Sequence, residues 1–197
     1  ANVSTSFETP TLNQLENPAG PGFLESLDAQ TSTNYEIGAK GTLDGRLRYE
    51  FALFHIDLED ELVPFEVAGD TFFRNAGAST RDGIEFATEV ILTDGLKATL
   101  SYTWNDFAYD RFVVGDDSFG GNELPGVPES QLYAELAWTH PGGAYAIWDL
   151  LRVGEFYAND ANTPLARIDG YTVSSLRFGH DFRTGSFAIS PFLGINN

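Results

Sequence analysis

The sequence predicts an all-β protein, an antiparallel transmembrane β-barrel present as a fragment of about eight to nine strands. Three observations lead there. Apolar and polar side chains alternate over runs of about ten residues, the length a tilted strand needs to cross a bilayer. Very short turns alternate along the chain with long polar connections. Gly numbers 20 and aromatic residues make up 14%, with 16 Phe and 8 Tyr, against few helical patterns.

The first clear hairpin alternates Tyr35, Ile37 and Ala39 with Glu36, Gly38 and Lys40, then turns at Leu43-Asp44-Gly45. It returns with Leu47, Tyr49, Phe51 and Leu53 opposite in parity to Arg48, Glu50, Ala52 and Phe54. A second hairpin sets Ile84, Phe86, Thr88 and Val90 against Gly83, Glu85, Ala87 and Glu89. Its turn is Thr93-Asp94-Gly95, where Gly is expected to supply positive φ. The returning strand is the clearest of all: Leu96, Ala98, Leu100, Tyr102 and Trp104 against Lys97, Thr99, Ser101, Thr103 and Asn105. A helix would mix these two sets, whereas a strand separates them.

Downstream, Leu132, Ala134, Leu136 and Trp138 alternate with Gln131, Tyr133, Glu135 and Ala137 before the turn His140-Pro141-Gly142-Gly143. The strand from about 144 to 157 alternates less cleanly, which predicts a bulge. A last hairpin joins Tyr171–Phe182 to Ser186–Asn196 through Arg183-Thr184-Gly185, with Pro191 removing a ladder donor from the final strand. Residues 1–9 read as one more partial strand.

Short turns therefore fall near 43–45, 93–95, 140–143 and 183–185, and long connections at 10–32, 58–78, 110–128 and 158–169. Tight turns at one end and long loops at the other are the asymmetry of an outer-membrane barrel. Tyr35, Tyr102, Trp104, Trp138, Tyr157 and Tyr171 lie near strand ends, where interfacial girdles form. Soluble sandwiches and lipocalin-like barrels also use short alternating strands, but their connections need not alternate in length.

Composition narrows the function. The 197 residues fit one domain, with Lys+Arg 11 against Asp+Glu 29 and a net charge of −18. That balance argues against nucleic acid as a partner, and no polybasic patch faces anionic headgroups. The absence of Cys excludes disulfides, thiolate metal sites and Cys catalysis. No apolar run is long enough for a transmembrane helix, a test that barrel strands escape. Ala1 opens without a leader pattern and Asn197 closes within a strand, so the chain reads as part of a longer one.

Several segments, in order, resemble the C-terminal part of the barrel of TonB-dependent outer-membrane receptors. They are Phe7-Glu8-Thr9-Pro10-Thr11-Leu12, the run from Leu27 to Gly38, Arg74-Asn75-Ala76-Gly77 and Arg81-Asp82-Gly83-Ile84-Glu85. Pro125-Gly126-Val127-Pro128, Gly170-Tyr171-Thr172 and Gly194-Ile195-Asn196-Asn197 complete the set, which spans nearly all of residues 1–197. The resemblance implies a plugged barrel of about 22 strands in the bacterial outer membrane. It implies uptake of a scarce nutrient such as a ferric siderophore, energised by the TonB complex through an N-terminal region outside this sequence. The plug and the closing strand are likewise expected outside it.

No catalytic constellation is present, so no enzyme, cofactor or metal centre is expected. His55, His140 and His180 lack ligand spacing and read as wall or interface residues. Asp57, Glu59, Asp60 and Glu61, with Asp116 and Asp117, carry oxygen ligands suited to Ca²⁺, but a solvated acidic loop explains them more simply. The family's ligands are held by outer loops and upper inner wall, which directs attention to Phe72, Phe73, Arg74, Tyr109, Arg111, Arg152 and Tyr157. Aromatic faces and guanidinium groups suit a metal chelate bearing catecholate or carboxylate, although rim packing would use the same residues.

Overall fold

The computed structural model describes residues 1–20, 22–23 and 27–197. Its strands are β1 (Asn2–Glu8), β2 (Gln30–Leu43), β3 (Leu47–Val67), β4 (Asp70–Thr93), β5 (Leu96–Val114), β6 (Asp117–Ser118) and β7 (Ser130–Thr139). They continue as β8 (Ala144–Val153), β9 (Phe156–Tyr157), β10 (Arg167–Ile168), β11 (Tyr171–His180), β12 (Phe182–Thr184), β13 (Phe187–Ile189) and β14 (Phe192–Asn196). One antiparallel sheet runs β1-β2-β3-β4-β5-β7-β8-β11-β14, with β6 folded against β5. β1 and β14 are its edges and do not meet, so this chain forms an open wall.

Register explains why the alternation is so clean. Leu43, Leu47, Val90, Ala98, Leu136, Trp148, Leu176 and Ile195 stand in one cross-strand row over eight strands. The row beside it, on the other face, is Thr42, Arg48, Glu89, Thr99, Glu135, Asp149, Ser175 and Asn196. A one-residue slip anywhere would exchange these faces, so burial in lipid pins the register. Ile37, Leu53, Leu136, Trp138, Trp148 and Leu176 share the apolar face and are all exposed. An apolar surface of that extent needs a nonaqueous neighbour. The opposite face holds ion pairs such as Lys97–Glu89 at 3.1 Å, as a wet interior permits.

Four local expectations change. The connection at 58–78 is not a loop: β3 and β4 run on as a paired hairpin to a tip at Ala68 and Gly69, whose φ values are 55° and 95°. Its acidic, Pro-containing sequence lacks alternation because the hairpin stands clear of the apolar band. β5 likewise extends to Val114, shortening the connection predicted at 110–128. No bulge interrupts β8, which pairs without a shift to β7 and β11; its alternation is blurred because Ile147 and Leu151 face the polar side. The final strand breaks before Pro191, where β12 and β13 make a small separate hairpin and β14 pairs with β11.

The turn at 93–95 holds for a different reason than expected. Gly95 does not have positive φ; a Cβ there would stand 2.4 Å from the Thr139 carbonyl oxygen, so the backbone approach requires Gly. Asp44 and Gly45 do have positive φ, at 50° and 65°, as the central residues of a tight turn closed by Arg46 N–H donating to the Leu43 carbonyl at 3.0 Å. In the 10–32 connection, residues 21 and 24–26 lie outside the described residues.

Candidate functional site

The long connections gather at one end of the wall and pack over its polar face. There Asp60 is skipped by the β3–β4 ladder, between the pairs Glu59–Ala78 and Glu61–Gly77, and takes a φ of 56°. This bulge reverses the parity of the residues after it. Glu61 would otherwise share the outer face with Asp57 and Glu59; it turns inward instead and is buried. Its Oε1 accepts from Ser79 Oγ at 3.0 Å and from Arg81 Nη2 at 2.8 Å. The Arg81 guanidinium lies 6.0 Å from the Phe107 ring centre, and Phe107 meets Phe54 edge-on at 6.2 Å. Asn75 braces the bulge, donating to the Asp60 carbonyl at 2.7 Å and to that of Asp28 at 3.0 Å.

A cleft of about 420 Å³ opens above this cluster. Glu61, Arg81, Phe107 and Tyr109 come from the wall, while Leu124 and Asp160 come from the connections. The Tyr109 hydroxyl donates to Asp160 Oδ1 at 2.8 Å, and its ring lies 4.7 Å from that of the fully buried Phe112. Burial, and then the hydrogen bond to Asp160, push the Tyr109 phenol well above the usual tyrosine range, so it stays a donor.

The connections are knitted into the sheet. Residues 119–124 continue the β5 ladder, with Tyr109 N–H donating to the Asn122 carbonyl at 2.9 Å and Leu124 N–H to that of Phe107 at 2.9 Å. Asn162, at φ 47°, accepts from Glu123 N–H at 2.6 Å and donates back to the Glu123 carbonyl at 3.0 Å. Arg167 pairs with Glu155 beside the β9–β10 hairpin. Burial, then the neighbouring Glu129, Glu155 and Asp106, raise the Glu123 carboxyl against the opposing pull of Arg167.

The structure brings only Tyr109 of the predicted ligand residues to the cleft. Phe72, Phe73 and Arg74 lie near the β3–β4 tip, opposite Phe65, Pro64 and Val63, and Arg74 Nη2 donates to the Val113 carbonyl at 2.8 Å. Arg111 pairs with Ala78 just past a second bulge at Asp110 and is exposed. Arg152 stands opposite Leu132 and Thr172, on the apolar face with Trp148 and Leu150. Tyr157 pairs with Arg167, and its carbonyl accepts from Gly126 N–H at 2.7 Å. Sequence reasoning missed Arg81, Phe107 and Asp160, and singled out Glu61 only within the acidic run weighed for Ca²⁺. Phe107 was legible, since it continues the parity of Lys97 to Asn105.

The acidic run does not converge on an ion. Alternation sends Asp57 and Glu59 outward while the bulge turns Glu61 inward, and no metal-ligand group of three is formed among the described residues. His55 bridges Asp82 at 2.7 Å and Asp57 at 3.1 Å on the outer face, while His180 stacks on Phe182 at 4.1 Å.

An apolar outer face, a polar inner face and loops gathered over one end define a section of transmembrane barrel wall. The chain belongs to the TonB-dependent receptor family: the family model described as TonB dependent receptor-like, beta-barrel matches residues 1–197. It is similar in fold to the siderophore receptor PiuA from Acinetobacter baumannii, at 18% identity over 90% of this chain and 26% of that one, with a TM-score of 0.68. The ferric yersiniabactin uptake receptor FyuA from Yersinia pestis aligns at 19% identity over 98% of this chain and 33% of that one, TM-score 0.66. The ferric-catecholate import receptor Fiu from K12 E. coli gives 22%, 93% and 26%, TM-score 0.67. The chain thus spans 26% to 33% of the length of these structures. The family is one of outer-membrane proteins, and this chain is outer-membrane barrel wall.

Proposed function

We propose that these residues form part of the ligand-facing wall of a receptor that imports a scarce nutrient, namely a ferric siderophore, across the outer membrane. TonB-complex energy reaches such a receptor through its N-terminal region. The observation that carries the reading is the cleft at the loop end of the inner face, where Phe107 and Tyr109 present aromatic surface beside polar groups. Ligand sites combine apolar walls with a few placed polar groups, and this cleft has both. The similar structures, siderophore and ferric-chelate receptors among them, support the same reading.

The test is iron uptake by cells expressing the receptor that contains this wall, supplied with radiolabelled ferric chelates. Phe107→Ala lowers uptake about tenfold or more at unchanged surface abundance, as expected for a lost stacking contact. Arg152→Ala, on the apolar face, leaves uptake intact. Equal effects at both positions, or none at Phe107, would remove the cleft from the ligand path.

A further inference from the structure

We propose that this wall selects ferric chelates that are neutral or positively charged and disfavours polyanionic ones. The inference rests on the siderophore reading and specifies the ligand class of the same cleft. Its lining carries two acids, Glu61 and Asp160, and one base, Arg81. The base is already committed: its Nη2 is 2.8 Å from Glu61 Oε1, and its Nε is buried without an acceptor. Asp160 accepts the Tyr109 hydroxyl at 2.8 Å, and no described basic side chain pairs with it. The cleft therefore keeps one uncompensated negative charge among its described lining residues.

The arginines that would grip a polyanion are elsewhere. Arg152 shares the apolar face with Leu150, Arg111 pairs across from Ala78 beyond the bulge, and Arg74 donates to a backbone carbonyl. Bidentate guanidinium contacts, the usual means of holding carboxylate or catecholate oxygens, are missing from this part of the inner wall among its described residues. The surroundings strengthen the bias, because the whole chain carries −18. A tris-catecholate iron complex brings three negative charges to that field. A tris-hydroxamate complex is neutral and offers apolar surface to Phe107, and one with a free amine adds a cation for Asp160.

The experiment measures binding and uptake by the intact receptor for three probes: a neutral ferric tris-hydroxamate, an amine-bearing tris-hydroxamate and a ferric tris-catecholate. The hydroxamates are expected to win by about tenfold or more, with the gap narrowing as salt is raised. Asp160→Asn and Glu61→Gln should each shrink it; Glu61→Gln also releases Arg81. Asp160→Asn keeps the test alive should the Glu61 variant fail to reach the surface. Preference for the tris-catecholate, or ratios unmoved in the correctly folded variants, overturns the charge selection and leaves siderophore uptake standing. Failure of all three probes, with transport of another nutrient, overturns the siderophore reading and this inference with it.

Discussion

Phe54 lies over Gly83, its partner across the β3–β4 ladder, so closely that a Cβ on Gly83 would stand 2.2 Å from the ring. The ring substitutes for the missing side chain and covers exposed backbone, a cross-strand pairing that fixes both register and ring position. Gly83→Ala must displace Phe54, and through it the edge contact with Phe107. We expect a loss of about 1–3 kcal/mol in urea-induced unfolding.

The two faces of β5 should respond differently to charge. Leu100 stands between Thr88 and Ala134 on the apolar face, while Thr99 stands between Glu89 and Glu135 on the polar one. Leu100→Arg is expected to cost about 2–4 kcal/mol near the bilayer midplane. Thr99→Arg meets two carboxylates and should cost far less. Refolding into lipid vesicles under urea distinguishes the two, and equal penalties would contradict a one-sided wall.

Tyr109 and Asp160 join strand to connection across 51 positions of sequence. Because the folded-state pKa of Tyr109 is raised, the contact contributes fully below the ordinary tyrosine value, near 10. It is lost as pH rises through the higher folded value. An ultraviolet tyrosinate titration should show Tyr109 ionising after the exposed tyrosines, a late phase that Tyr109→Phe removes. That variant should also speed amide exchange over residues 158–163.

Glu123 works in the opposite pH range. Its carboxyl is raised by burial and by Glu129, Glu155 and Asp106, so the folded connections favour its protonated form. The stabilising contribution is complete below the unfolded carboxylate pKa and declines as pH rises through the folded one. Amide exchange over residues 119–129 should therefore quicken between acid and neutral pH. Glu123→Gln should hold the acid-like rate at neutral pH; an unchanged profile would show that another group sets it.

The wall itself was legible because one simple force writes it. Lipid on one side and water on the other impose period two, and Leu96–Trp104 obeys it without exception. The same rule applied to β8 would have placed Arg152, since Trp148, Leu150 and Arg152 share parity. The cleft was less legible. Glu61 faces inward only because Asp60 takes positive φ, and no pattern in Asp57–Glu61 announces that bulge. Asp160 reaches Tyr109 through a fold of the connections that local sequence does not encode. At 58–78 the polar composition imitates a loop, because a hairpin wetted on both faces has no apolar stripe to display.

The bulge at Asp60 also bears on how such receptors diversify. Asp60 is the extra residue the bulge absorbs, so a single-codon deletion of Glu61 would put Leu62 opposite Gly77 in its place. Everything below the bulge, down to the Asp44-Gly45 turn, would keep its pairing. The lining of the proposed cleft is thereby open to reading-frame-preserving insertions and deletions, a kind of variation that strands embedded in lipid do not tolerate. The shape of that end of the wall can therefore change in single-residue steps that leave the membrane-spanning ladder untouched.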